Sequence, residues 1–559
     1  MKFALKSIPP QTLLYCFVAF YFFLNIFQAG FTGLTSDEGY YWYLSTHLDW
    51  GYYDHPPLLA LLINLGRRLF SGELGVRFFS VLIMSAGLIF LAEVIGEKEK
   101  QKSSLYFMII SMPLLNYITF IAFPDSPLVA LSIIYLYFYK KFLEKHSTKA
   151  SFFMGLALSA MLYSKYHAVL IPLFIIMSNP KLLLDKKYYC SLGIALALFM
   201  PHLYWQYKHD FVSFKYHLIG RSHGFALNNL TDFLSVQVLV LCPALIFVPF
   251  VYKTKNPFER SLKFVVLGTL TFFLCATLKG YVHFHWTSIV IFPLIILGYA
   301  YYSNQRKKMF FILTIPMLLF VVFFRTYLVV KILPMNTFNR VDYFHGRTLW
   351  ADDIKKIAGT RPVVFENALR EAPLYSFYSG MPSVALYPGG DKKSQYEIWG
   401  VEDKLQGKDV VVSRDIEFKG SSKISTRMGK EFNYIPLWNF RSYQNIKISL
   451  KTAALPLKPT DHFQLEIINH RDCPLTFNNN SLGQKIKLIG YVSSGNGAKD
   501  TFFIVREFSS RDTVALHATL RIEGEIPLRF RDRQARYSFG FDDGIFSPSV
   551  NSIKYALGG

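Results

Sequence analysis

Up to about residue 331 the chain is a succession of apolar blocks separated by short polar stretches. Most blocks run for about 17–22 residues, which as a helix is long enough to cross a hydrocarbon core of ~30 Å. The pattern predicts about eleven membrane-spanning helices. They fall at roughly 11–31, 75–96, 103–122, 126–142, 150–163, 165–179, 188–205, 232–252, 264–279, 286–303 and 309–331. Between the first two, EGYYWYLSTHL and LLALLINLGRRLF predict short interfacial helices, the second started by Pro56 and Pro57. Past residue 331 the blocks stop. Residues 335–445 mix strand-like runs (PVVFEN, DVVVSR) with a helical stretch around Ala368 to Tyr378, which predicts a small soluble α/β region. From 446 the period becomes two, in HFQLEII, KIKLIGYV, TFFIVREF, TVALHATLRI and ARYSFGF, and this predicts an antiparallel β-rich domain. The expected division is a mainly α-helical transmembrane domain over 1–334, an α/β region over 335–445 and a β-rich domain over 446–559.

Composition agrees with that division. Of 559 residues, 52% are hydrophobic and 17% aromatic, with mean hydropathy +0.25, high for a soluble protein. The net charge of +22 would suit a nucleic-acid partner, but its placement argues otherwise. Much of the excess lies in short loops: EKEKQK at 97–102, KKFLEKHSTK at 140–149, KLLLDKK at 181–187, YKTKNPFERSLK at 252–263 and NQRKK at 304–308. Such loops face the cytoplasm. No nucleic acid is expected, and the remaining cations suit anionic membrane lipids or a phosphate-bearing substrate. With an odd number of spans the tail lies outside, in the periplasm or beyond, and the expected location is a bacterial inner membrane. The first run, Leu13 to Phe27, lacks a small-x-small cleavage site and reads as an uncleaved helix. The five cysteines offer neither metal-ligand spacing nor a disulfide framework.

With that sidedness, the polar clusters that look chemical all fall on the outer face. The first lies in TSDEGYYWYLSTHLDWGYYDHPPL, Thr35 to Leu58. Asp37 there is the candidate general base, or else a cap for the helix that follows. Glu38 is an accessory carboxylate, orienting or metal-binding. Tyr53, Asp54 and His55 bind sugar, phosphate or metal, or form a tight turn before the double proline. Asp125, in FPDSPL, is a further acid or a cap. Lys165 and Tyr166 sit between apolar blocks, where a cation is costly unless paired. A phosphate is one partner for Lys165, and snorkelling to the interface is the alternative. Arg221, Lys279, His283 and His285 pose the same question, and Arg221 has the forked guanidinium that suits phosphate. Histidines near carboxylates are compatible with a divalent metal, but no spacing demands one, so no cofactor is expected as a requirement.

DEGYYWYLSTHLDWGYYDHPPL resembles the first-loop signature of bacterial glycosyltransferase family 39. This GT-C family includes protein O-mannosyltransferases and the lipid A aminoarabinose transferase. FPDSPL, YHLIGRSHGF and HFHW agree with it in order, so the resemblance covers about residues 10–330. It implies transfer of a sugar from a polyprenyl phosphate to an acceptor at the outer membrane face. Asp37 would be the catalytic carboxylate, and Asp125 the second acid. The acceptor stays open among lipid A, lipopolysaccharide core, another glycolipid and protein. Two other classes compete: a polytopic lipid or solute transporter, and a non-catalytic glycan-assembly protein. Against the transporter, the sequence has no internal repeat and no pair of Gly/Pro-broken spans.

Overall fold

A computed structural model describes residues 9–96, 103–220, 224, 226–302, 307–333, 344–387, 394–443, 446–452, 454–456, 462–471, 474–480, 483–493, 501–531 and 534–557. The chain forms two compact units, Met1–His345 and Gly346–Gly559.

The first unit is helical. A long α1 (Pro10–Phe31) leads into the short α2 (Ser36–Leu44) and α3 (Leu58–Leu69), and α4 (Gly72–Ile95) is again long. The expected 103–122 block is two helices, α5 (Ser103–Ser111) and α6 (Pro113–Ile118). Pro113 lacks an N–H and forces Met112 into extended backbone, which ends α5. There follow α7 (Asp125–Lys145), α8 (Thr148–Ser164), α9 (Leu170–Ser178), α10 (Lys186–Lys208) and a single turn, α11 (Val212–Lys215). The 232–252 block is broken as well, so the expectation that no two spans are interrupted at a proline does not hold. α12 (Leu227–Val240) meets α13 (Pro243–Ile246) and α14 (Val248–Val251) at a bend of 102°. The bend falls where Cys242 takes a positive φ before Pro243. The unit ends with α15 (Pro257–Ala276), α16 (Ile291–Tyr302) and α17 (Lys307–Val329).

Eleven spans do not emerge from this set. Among the described residues, four helical segments are long and apolar enough to cross a membrane, or five if the bent pair is one span. The other expected blocks are shorter, interrupted or more polar. The core is nonetheless continuous, with Met108, Leu115, Ile133, Leu136, Ile171, Leu262 and Ile295 all removed from solvent.

In the second unit, α18 (Arg347–Ala358), β1 (Val363–Glu366), α19 (Glu371–Ser379), β2 (Ser383–Leu386), α20 (Gln395–Ile398), β3 (Val410–Arg414), β4 (Ser422–Ser425) and β5 (Glu431–Leu437) build a mixed sheet. Its order is β2-β1-β3-β5-β4, with β1 parallel to β2 and β3, and β5 antiparallel to β3 and β4. Next come β6 (Lys447–Leu450), β7 (Phe463–Ile468), β8 (Leu475–Thr476), β9 (Lys487–Ser493), β10 (Thr501–Glu507), β11 (Thr513–Val514), β12 (Thr519–Gly524) and β13 (Arg536–Asp542). They pair antiparallel as β12-β7-β6, β10-β9-β13 and β11-β8. The alternation read in HFQLEII turns Phe463, Leu465 and Ile467 inward.

The loop after β13 carries a buried acid. The Asp543 Oδ1 atom accepts hydrogen bonds from the backbone N–H groups of Ile545 (2.9 Å) and Phe546 (2.8 Å). Burial nevertheless pushes its carboxyl up to about 7, with Asp542 and Glu366 adding repulsion. A folded-state pKa raised above the unfolded 3.8 means stability that is complete below about pH 4 and is lost as pH rises through about 7. The second unit of the full-length protein should therefore melt at a higher temperature at pH 5 than at pH 8. Asp543→Asn should flatten that difference, and an unchanged pH profile in the variant would refute the assignment.

Candidate active site

The first loop folds as its sequence dictates at α2. Thr35 Oγ1 accepts from the Glu38 N–H (3.0 Å), and Glu38 Oε2 accepts from the Thr35 N–H (3.0 Å), a reciprocal capping box of the T-x-x-E type. Glu38 is thus the capping carboxylate, and it is fully buried. Arg77 of α4, also fully buried, forks onto it, with Nε to Oε1 at 2.6 Å and Nη2 to Oε2 at 2.7 Å. The Ala122 N–H donates to Oε1 as well (2.9 Å). The same guanidinium donates to the carbonyls of Ala29, Thr32 and Gly33, where α1 ends. Glu38 therefore ties α1, α2, α4 and the 122–125 turn together instead of presenting a reactive oxygen. Arg77 is a residue the sequence reading missed. Its signal was a lone arginine in an apolar block, which needs a partner.

Asp37 is half-buried on the first turn of α2. Tyr40 and Tyr41 follow at three and four residues, on the same helix face. Tyr117 of α6 lies within electrostatic reach of both Asp37 and Glu38. Through the two tyrosines, α2 meets the second motif of the loop. Tyr40 donates its hydroxyl to Asp54 Oδ1 (3.0 Å), His55 Nδ1 lies 3.0 Å from the same oxygen, and Tyr41 OH is 3.3 Å from His55 Nε2. Burial acts to raise the Asp54 carboxyl, but His55, Tyr40 and His217 outweigh it and hold it below the usual carboxylate range. His217 Nε2 also lies 2.8 Å from the Asp54 carbonyl oxygen. Tyr53 packs against Tyr216 with its ring tilted, centroids 5.2 Å apart.

A second group forms around Asp125, the first residue of α7, which is fully buried. Lys165 Nζ is 2.9 Å from each carboxylate oxygen, His285 Nδ1 is 2.8 Å from Oδ2, and Ser288 donates its hydroxyl to Oδ1 at 2.7 Å. Lys165, expected to pair with phosphate or to snorkel, is buried with Asp125 as its carboxylate partner, which argues against snorkelling. Burial alone would raise the Asp125 carboxyl, but Lys165 and His285 dominate and keep it well below its ordinary range. With Nδ1 turned to a carboxylate, the His285 ring is held in a fixed orientation. Ser288 was not expected from sequence.

Aromatic rings join the two groups. The Tyr41 ring packs edge-on against His55 (5.2 Å) and Phe123 (6.3 Å), and Phe123 packs against His285 (5.3 Å). His283 lies 5.7 Å from His285. Tyr166 packs 5.8 Å from His217 and places its hydroxyl 2.8 Å from His202 Nε2. The structure thus brings together Asp37, Glu38, Tyr53, Asp54, His55, Asp125, Lys165, Tyr166, His283 and His285 from four separated stretches of sequence. Lys279 does not join them: it is exposed, and among the described residues no hydrogen bond or ion pair links it to the cluster. Arg221 lies outside the described residues. Among the described residues, no group of three or more His, Cys, Asp or Glu is arranged to hold a metal ion.

Chemically, the cluster sets an acid on a helix N-terminus beside phenols and imidazoles, with a buried Lys–Asp–His group next to it. It can take a proton from a hydroxyl and neutralise an anionic leaving group.

Residues 54–205 match the family described as dolichyl-phosphate-mannose-protein mannosyltransferase. Two crystal structures of ArnT from Cupriavidus metallidurans resemble the fold. The apo form is 13% identical, covering 75% of this chain and 97% of that one, with a TM-score of 0.56. The form bound to undecaprenyl phosphate is 14% identical, covering 77% and 98%, with a TM-score of 0.55. No curated protein matches the chain by sequence. The GT-C fold expected from the first-loop resemblance is therefore present, in a helical unit followed by a β-rich region.

Proposed function

We propose that this GT-C-fold chain is a membrane glycosyltransferase that moves a sugar from a polyprenyl phosphate to an acceptor hydroxyl of the cell envelope. The observation that carries this reading is the convergence of the Asp37–Tyr41 helix, Asp54–His55, Asp125–Lys165 and His283–His285 on one cluster. Nothing in composition requires those stretches to meet. The ArnT likeness supports the fold, and one of those structures holds undecaprenyl phosphate, a ligand of the proposed donor class.

In the proposed step the acceptor hydroxyl attacks the anomeric carbon of the donor. Its proton passes to the Asp37 carboxylate. The bond from the sugar to the phosphate oxygen breaks, and the polyprenyl phosphate leaves with the electron pair. Its charge is met by Lys165 and His285, held ready by Asp125. Tyr53, Tyr166 and the Asp54–His55 pair line the sugar side. No metal is required by this scheme. We place the site at the outward face of a bacterial inner membrane, a reading that the basic loops support.

The donor class is testable directly. Purified protein in liposomes should transfer sugar from a polyprenyl-phosphate donor supplied alone. Transfer from a nucleotide sugar with no lipid carrier would overturn the proposal. Lipid flux without any transfer would favour a transporter instead.

A further inference from the structure

The helices that carry the candidate site at one end enclose a cavity at the other. Arg77 lies near the start of α4, Asp125 starts α7, and His285 precedes α16. These helices pack on one another. Near their far ends lie Val94, Lys140 and Tyr299, which with Tyr252, Lys255 and Phe258 line a cavity of about 580 Å³. Its lining residues on α7, Lys140 to Glu144, lie 15 to 19 residues beyond Asp125, so at 1.5 Å per residue the cavity is about 22–28 Å from Asp125. That is close to one hydrocarbon thickness of ~30 Å. The cavity therefore opens at the membrane face opposite the site, among the basic stretches at 140–149 and 252–263.

Its walls are amphipathic in an ordered way. Val94 and Phe258 supply apolar surface, Tyr252 and Tyr299 supply phenols, and Lys140 and Lys255 supply cations. Both nearby carboxylates are already engaged. Glu259 accepts from the Tyr252 hydroxyl (3.0 Å), the Lys255 N–H (2.7 Å) and the Asn256 side chain (3.0 Å). Glu144 pairs with Lys141 at 3.5 Å. Lys140 donates to the Val94 carbonyl (2.7 Å), the C-terminal turn of α4, and among the described residues neither Lys140 nor Lys255 makes an ion pair. Two ammonium groups beside apolar wall at headgroup depth are complementary to one phosphodiester with its acyl chains attached.

We infer that this cavity binds the phosphodiester headgroup of an anionic membrane phospholipid, held by Lys140 and Lys255, at the face opposite the sugar-transfer site. The inference rests on the membrane reading of the helical unit and not on sugar transfer. Its occupant is a resident lipid, distinct from the proposed donor.

The test is native mass spectrometry of the full-length protein in detergent with added phosphatidylglycerol. The wild type should retain the lipid, and a Lys140→Gln/Lys255→Gln double variant should retain at least tenfold less. Lys253→Gln, an exposed neighbour outside the cavity lining, should behave as wild type. Because Lys140 also caps α4, the single Lys255→Gln variant is the guard against misfolding. It should lose several-fold of the bound lipid while its melting temperature in lipid-free detergent stays unchanged. Equal retention by the double variant and the wild type would overturn the site. So would an equal loss in Lys253→Gln, which would indicate unspecific surface charge. Complete displacement of the lipid by millimolar inorganic phosphate would overturn the lipid assignment in favour of a free-anion site.

Discussion

Asp37→Asn should abolish sugar transfer while leaving the protein abundant and membrane-inserted. The substitution keeps the side chain's shape and removes its charge and its ability to accept a proton, and loss of a positioned general base costs typically about 10²–10⁴-fold in rate. The structure makes this a clean experiment. The cap of α2 is built by Thr35 and Glu38, so Asp37 is not needed to start the helix. Loss of a first-turn charge costs only about 0.3–1 kcal/mol. Mass spectrometry of the modified envelope glycan, with immunoblotting of membranes, separates the two effects. Activity within a few-fold of wild type would remove Asp37 from the base role.

The opposite signature is expected of Arg77→Met. This change leaves Glu38 ionised and buried, with no cation, and strips the donors from the carbonyls of Ala29, Thr32 and Gly33. Removing one partner of a buried ion pair costs about 3–5 kcal/mol, because the remaining charge stays desolvated. Since the pair joins α1, α2 and α4, the protein should become scarce in membranes and melt at a much lower temperature. Glu38→Gln in the same background should recover part of the loss, because the stranded charge is gone while the capping geometry survives. A wild-type melting curve for Arg77→Met would show that the pair is not a structural clamp.

Much of this was legible in the chain. The apolar blocks locate most helices of the first unit, because burying a helix on all sides requires it to be apolar all round. Period-two runs locate β7, β9, β10 and β13, because alternate residues of a half-buried strand face the core. The first-loop signature marks Asp37 and the Asp54–His55 pair. It also carries its own helix start, since T-x-x-E is a local code that needs no tertiary partner.

What the sequence by itself determined, then, is whatever rests on contacts within a few residues: helix and strand identity and the start of α2. Only the tertiary structure decided which polar residues share a partner. Glu38 and Asp37 are adjacent and look equivalent in sequence, yet one is locked by an arginine thirty-nine positions away and the other is left half-buried at the site. Lys165 looks like a lone cation in sequence, and only the fold reveals that Asp125, forty positions earlier, holds it. Lys279 has the right chemistry and the wrong place. The physical reason is that burying a charge is tolerable only beside a compensating group. That group is brought by the packing of distant helices, which no periodicity along the chain encodes.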